Sequence, residues 1–192
     1  MTRLPSVLLP GELPLAELCA ARLDGELIAL DEAFLVADLP LGPAQRGSAL
    51  LAVLPRGAVA DRASAAWVHG ATPEPPAVHS ASIDRRHRLH PPVLARVRFH
   101  EVRLTDADVV ELGGCPVTSP ARTLIDLARV GPGCDPALIR SLAAATGTTL
   151  ADVLATLESG APVAARRIAC ARLTSALSAP PSVASGQPAL TR

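Results

Sequence analysis

The sequence predicts an α+β fold: a small N-terminal helix plus β-hairpin, then a mixed sheet packed by helices, with a helical C-terminal part. Three patterns carry that expectation. Val78 to Ile83 and Ala95 to Val102 alternate apolar and polar side chains with the period of two that strands require. Gly113-Gly114 separates two short apolar runs, the signal of a tight hairpin. Beyond Ser119 the apolar residues recur at helical spacing.

Along the chain, LPLAELCAARL places Leu15, Leu18, Ala21 and Leu23 close to helical spacing, and Gly25 closes the helix. ELIAL and AFLVA read as two strands around Asp31-Glu32, whose charges are expected to point outward from a hairpin tip. LPLGP connects to a helix from Ala44 to Leu54 that stops at Pro55. Asp61 is expected to cap a short helix running through Trp67 to His69, ended by Gly70. ATPEPPA forces an extended link to the sheet. In the strand ending at Val102, Val97, Phe99 and Glu101 share one face, and Arg96, Arg98 and His100 the other. Val109–Leu112 and Cys115–Val117 flank the Gly-Gly turn. Ser119-Pro120 starts a helix striped by Ala121, Leu124, Ile125 and Ala128, and Asp135-Pro136 repeats the cap. Leu150, Val153, Leu154 and Leu157 form a further stripe, and Ala165, Ala169, Leu173 and Leu177 mark a last helix from Ala164 to Leu177. The small, Pro-containing stretch from Ser178 onward reads as a disordered tail.

Composition narrows the function classes. The chain has 192 residues and is 49% hydrophobic, yet its aromatics are Trp67, Phe34 and Phe99 alone, so the core must be Ala, Leu and Val. All 18 basic residues are arginine and neither Lys nor Asn occurs, as a GC-rich coding sequence would give. Weight therefore falls on where the arginines sit, not on their number. Net charge is zero, so the whole molecule is not a basic nucleic-acid binder. The charge is bipolar, however. Residues 1–40 carry seven carboxylates against Arg3 and Arg22, a net −5. Residues 84–103 carry Arg85, Arg86, Arg88, Arg96, Arg98 and Arg103 against Asp84 and Glu101, a net +4, with His87, His90 and His100 beside them. Pro5, Pro10 and Pro14 interrupt any leader or membrane span, and Cys19, Cys115, Cys134 and Cys170 lack CxxC spacing. A cytoplasmic protein with reduced thiols, no membrane association and no metal is expected.

Catalytic signatures are lacking. No GxSxG, GxGxxG, P-loop or HExxH occurs, so neither catalytic residues nor a cofactor is expected. Asp106, Asp108 and Glu111 precede the hairpin and read as capping or solvated groups; catalysis would need them to converge with His100. DRRHRLH reads as a solvated basic loop. In VTSPARTLIDLAR, Arg122, Asp126 and Arg129 stand at i, i+4 and i+7. Two readings of Arg122 stay open: an intrahelical ion pair, or an anchor to the neighbouring sheet or to a partner.

SAAWVHGA, DRRHRLHPP, LTDADVVELGGCPVTSPARTLIDLAR and RRIACARL together resemble the C-terminal domain of the AbiEi antitoxin family, over roughly Ala44 to Leu177. The match is tightest at VTSPARTLIDLAR. The resemblance implies a non-enzymatic regulator of a type IV toxin–antitoxin system, with operator DNA and a nucleotidyltransferase-like toxin as partners. It also implies an N-terminal winged helix. Residues 1–43 are then a reduced winged-helix-like segment, 44–177 the antitoxin-like domain and 178–192 the tail. The acidic N-terminus favours the alternative, a module that binds a protein partner without DNA. Arg85, Arg86, Arg88, Arg96, Arg98 and Arg103 are the candidate contacts to nucleic acid or partner. Trp67, His69, Thr118, Arg122 and Asp126 are the motif positions with a structural role.

Overall fold

The computed structural model describes residues 5–85, 93–130, 133–160 and 163–178. The fold is α+β, built from two sheets and seven helices among these residues. A three-stranded antiparallel sheet is formed by β1 (Val7–Leu8), β2 (Leu27–Leu30) and β3 (Ala33–Val36), with β3 in the middle. Helix α1 (Leu15–Leu23) covers its outer face, where Leu18 meets Leu8, Leu27 and Phe34. Of the expected stripe only Leu18 is buried; Leu15 and Leu23 face solvent. The nine-residue helix packs mainly on β2, anchored by Leu18 with the half-buried Ala21 beside it.

The second sheet is mixed. Its order is β6 (Val97–Val102), β5 (His79–Asp84), β4 (Val59–Ala60), β8 (Cys115–Thr118) and β7 (Val109–Leu112). β5 runs parallel to β6, and β4 parallel to β8. Neither β1 nor β4 is legible in the sequence, because two residues cannot display a period. Their pairing is decided by the strands they join. Helix α2 (Pro43–Leu50) ends four residues sooner than expected and lies against the β7–β8 hairpin. The approach is close: a Cβ on Gly47 would sit 2.0 Å from the Leu112 carbonyl oxygen. Gly113, at φ 59°, occupies the left-handed turn position that glycine favours.

Helix α3 (Arg62–Val68) is buried from Ser64 to Val68 and joins two cores. On one side Trp67 and Val68 pack with Leu50, Ala81, Val97 and Val117, together with Val7, Leu30 and Leu35 from the small sheet. On the other, Ala66 packs into the helical layer made by α4 (Pro120–Arg129), α5 (Pro136–Thr146), α6 (Leu150–Ser159) and α7 (Arg166–Ser178). Leu124, Ile125, Ile139, Leu142, Val153 and Leu173 fill that layer. With so few aromatics the layers come close enough for alanines such as Ala65, Ala66, Ala128 and Ala169 to be fully covered. Ser119 caps α4 through the Arg122 amide, and Asp135 caps α5 through that of Ala137. Thr149 and Asp152 close a reciprocal box at the start of α6.

Candidate functional site

Asp31 and Asp61 hold the centre of the buried polar structure, and both depart from their sequence reading. Asp31, expected to point outward from the hairpin tip, turns inward from a left-handed backbone at φ 55° that Asp tolerates better than most residues. Its Oδ2 accepts from His79 Nε2 at 2.8 Å, and its Oδ1 from Arg96 at 2.8 Å. Arg96 also bonds Glu32. With Nε2–H given to Asp31, His79 Nδ1 accepts the Ser64 hydroxyl at 3.0 Å, and Ser64 Oγ accepts the Ser80 amide at 2.9 Å. Trp67 lies tilted against His79 with ring centroids 6.4 Å apart. Asp31, His79 and Ser64 thus have the spacing of a hydrolytic triad. Ser64 and His79 are fully buried, however, and Ser64 already has a donor on its oxygen, so no substrate reaches it. The group ties the small sheet to the larger one. Burial opposes the Asp31 charge, but His79 and Arg96 outweigh it and hold the carboxyl below its usual range.

Asp61 stands at the cap position of α3, yet its side chain makes no cap bond. Its Oδ2 instead accepts from Ser82 at 2.6 Å and from His100 Nδ1 at 3.1 Å. Arg62, at φ 45°, bonds His100 on the other ring nitrogen. Asp61 Oδ1 is buried and has no hydrogen-bond partner among the described residues.

The VTSPARTLIDLAR string folds as β8 running into α4. His69 Nε2 reaches the Thr118 carbonyl at 2.8 Å, and Thr123 bonds Thr118 and Ser119 across the cap. Burial pushes the His69 imidazole below its ordinary value, against the Thr118 bond. Arg122 is buried on the same helix. Its Nε donates to Asp126 at 2.8 Å, while Nη1 lies 3.1 Å from Asp108 and 3.4 Å from the Arg103 carbonyl. Arg129 donates to the other Asp126 oxygen at 2.8 Å. Both readings of Arg122 therefore describe one side chain: it pairs within its helix and anchors that helix to the sheet. Burial disfavours its charge, but Asp126 and Asp108 more than restore it, raising its pKa. Burial pushes the Asp126 carboxyl up against the pull of Arg122 and Arg129.

The residues singled out for catalysis do not converge. Asp108 is occupied by Arg122 and Thr105, His100 by Asp61 and Arg62, while Asp106 and Glu111 are exposed. Of the candidate basic contacts, Arg96 is engaged by Asp31 and Glu32. Arg85, Arg98 and Arg103 are exposed. Arg86 and Arg88, with His87 and His90, lie outside the described residues. Exposed apolar side chains also stand on the N-terminal unit: Leu15 is 64% exposed and Leu23 88% on α1, and Ile28 is 51% exposed on the opposite face of the small sheet, in a segment rich in carboxylates. Helical periodicity assigned Leu15 and Leu23 to the core, which concealed them.

No helix among the described residues is long and apolar enough by itself to cross a membrane. No curated protein matches the chain. The crystal structure of the RV2827C protein from Mycobacterium tuberculosis is similar, with a TM-score of 0.47 and 17% identity over 91% of this chain and 72% of that one. The AbiEi antitoxin C-terminal domain matches residues 57–183, which take in α3, the basic strand β6 and the Ser-Pro-capped helix α4. A match over that much of the sequence settles the relationship: the chain belongs to the AbiEi antitoxin family, whose members are regulators of toxin–antitoxin systems.

Proposed function

We propose that this protein acts as an antitoxin by binding a protein, a nucleotidyltransferase-like toxin of a type IV system, in the bacterial cytoplasm. The observation that carries the reading is the apolar exposure of the N-terminal unit, above all on α1. Large apolar side chains stand exposed at Leu15, Leu23 and Ile28 on a segment with a net charge of −5. Exposed apolar side chains gain free energy from a protein partner, whereas carboxylates repel a phosphate backbone. The Asp31–Arg96 pair adds to it, since it withdraws one of the basic strand's cations from any DNA contact. On this reading residues 1–43 form a reduced winged-helix-like unit turned to protein recognition, attached to an antitoxin domain over 44–177.

Operator binding is the second reading, and it rests on Arg85, Arg98 and Arg103, which remain exposed. One pair of experiments separates the two. The double variant Leu15→Asp, Leu23→Asp is expected to keep its melting temperature and lose co-elution with a toxin encoded in the same operon. Gel shifts on the upstream duplex at two salt concentrations test the other reading. A salt-sensitive, sequence-preferring shift abolished by Arg98→Gln, with toxin binding unaffected in the leucine variant, overturns the first in favour of the second.

A further inference from the structure

A cavity of about 240 Å³ opens between the ends of β5 and β6, helix α4 and the residues just before α7. Among the described residues four arginines line it: Arg85, Arg103, Arg122 and Arg129. Glu101 stands among them, and Val102 and Ala164 also line it. Three separate parts of the fold thus contribute arginines to the wall of one small space.

The four are not equivalent. Arg122 forms a fixed floor, held by Asp126 and Asp108. Arg129 gives one nitrogen to Asp126, but its Nε is buried without an acceptor among the described residues. Arg85 and Arg103 have no side-chain ion pair among the described residues, and both are exposed. A buried N–H left without an acceptor costs free energy, and among the described lining residues four arginines stand with one carboxylate, Glu101, so the arrangement favours a bound anion. It is completed by an anion that accepts from several arginines at once. A carboxylate offers two oxygens in one plane, whereas a phosphoryl group offers three oxygens in different directions and so matches donors that arrive from several sides. The volume suits a phosphoryl group with a small substituent and falls below the roughly 300 Å³ at which drug-sized ligand sites begin.

We propose that this cavity binds a phosphoryl group, either as free phosphate or as a small phosphate monoester, with Arg85, Arg103 and Arg129 donating and Arg122 as the fixed floor. The site is separate from the toxin-binding surface proposed above and does not depend on it.

The test is calorimetric titration of the full chain with inorganic phosphate, methyl phosphate and acetate at constant ionic strength. Saturable one-to-one binding of phosphate or methyl phosphate is expected, and it should weaken about tenfold in Arg85→Gln, Arg103→Gln, whose side chains are exposed and lie outside the core. The thermal melt of that variant without ligand should match the parent. If methyl phosphate binds as well as phosphate, the natural ligand is a monoester; if only inorganic phosphate binds, it is the free ion. Heats that do not saturate, equal binding by parent and variant, or acetate binding as tightly as phosphate would each overturn the proposal.

Discussion

Asp31 Oδ2 and His79 Nε2 lie 2.8 Å apart although 48 positions separate them in the chain, and both side chains are almost wholly buried. One sits at the tip of the first hairpin and the other at the start of β5, in the parallel pair at the edge of the larger sheet. Through them the three-stranded sheet is fixed to the five-stranded one by a bond with direction, whereas the apolar contacts of Val7, Leu30 and Leu35 fix it only by shape. Asp31→Asn keeps the volume and removes the charge facing His79 and Arg96. It should lower unfolding stability by about 1–3 kcal/mol, read from urea denaturation as a lower midpoint at unchanged slope. A loss under about 0.5 kcal/mol would show that the contact is incidental.

Stability should fall with acidification in two windows. The folded pKa of His69 is depressed, so below about pH 6.5 the unfolded chain takes up a proton that the folded one resists. Stability is full above that value and declines below it. The Asp31 carboxyl is also held low, so its contribution is present above about pH 3.9 and is lost as pH falls further. Asp126, pushed up by burial, works against this trend just above about pH 3.9, so single variants are needed to separate the parts. Urea midpoints measured from pH 7.5 to 5 should decline in the parent. The decline should be shallower in His69→Gln; identical slopes would refute the assignment.

Arg122 neutralises two carboxylates that are themselves buried, Asp108 and Asp126. Arg122→Ala takes the buried cation from Asp108 and leaves Asp126 with Arg129 alone, and should cost about 3–5 kcal/mol. Arg122→Lys retains the charge but loses the planar fork, and a smaller loss is expected. A double-mutant cycle with Asp126→Ala should show coupling above about 1 kcal/mol. Additive effects would place the two residues in separate roles.

Gly47→Ala tests the contact between α2 and the β7–β8 hairpin. In an open helix the change would stabilise by about 1 kcal/mol. Here the new methyl group meets the Leu112 backbone at 2.0 Å, which cannot yield as a flexible side chain would. A net destabilisation of about 1–3 kcal/mol is expected in thermal melts. A raised melting temperature would mean that the helix moves away without cost.

By itself the sequence determined whatever depends on neighbours along the chain. The Ser119-Pro120 and Asp135-Pro136 helix starts, the Gly113-Gly114 turn and the stripe of Leu124, Ile125 and Ala128 all appear in the structure, because caps, turns and periodic faces are properties of a few adjacent residues. The family too was legible in VTSPARTLIDLAR. The tertiary structure alone decided which polar groups meet. It turned Asp31 inward to His79 and gave Asp61 to Ser82 and His100 instead of its own helix. It left Leu15 and Leu23 in solvent despite their helical spacing, and gathered four arginines from distant segments around one cavity. The reason is physical. A buried charge is tolerable only beside its complement, and that complement is chosen by which elements pack together, a choice that no local pattern of residues records.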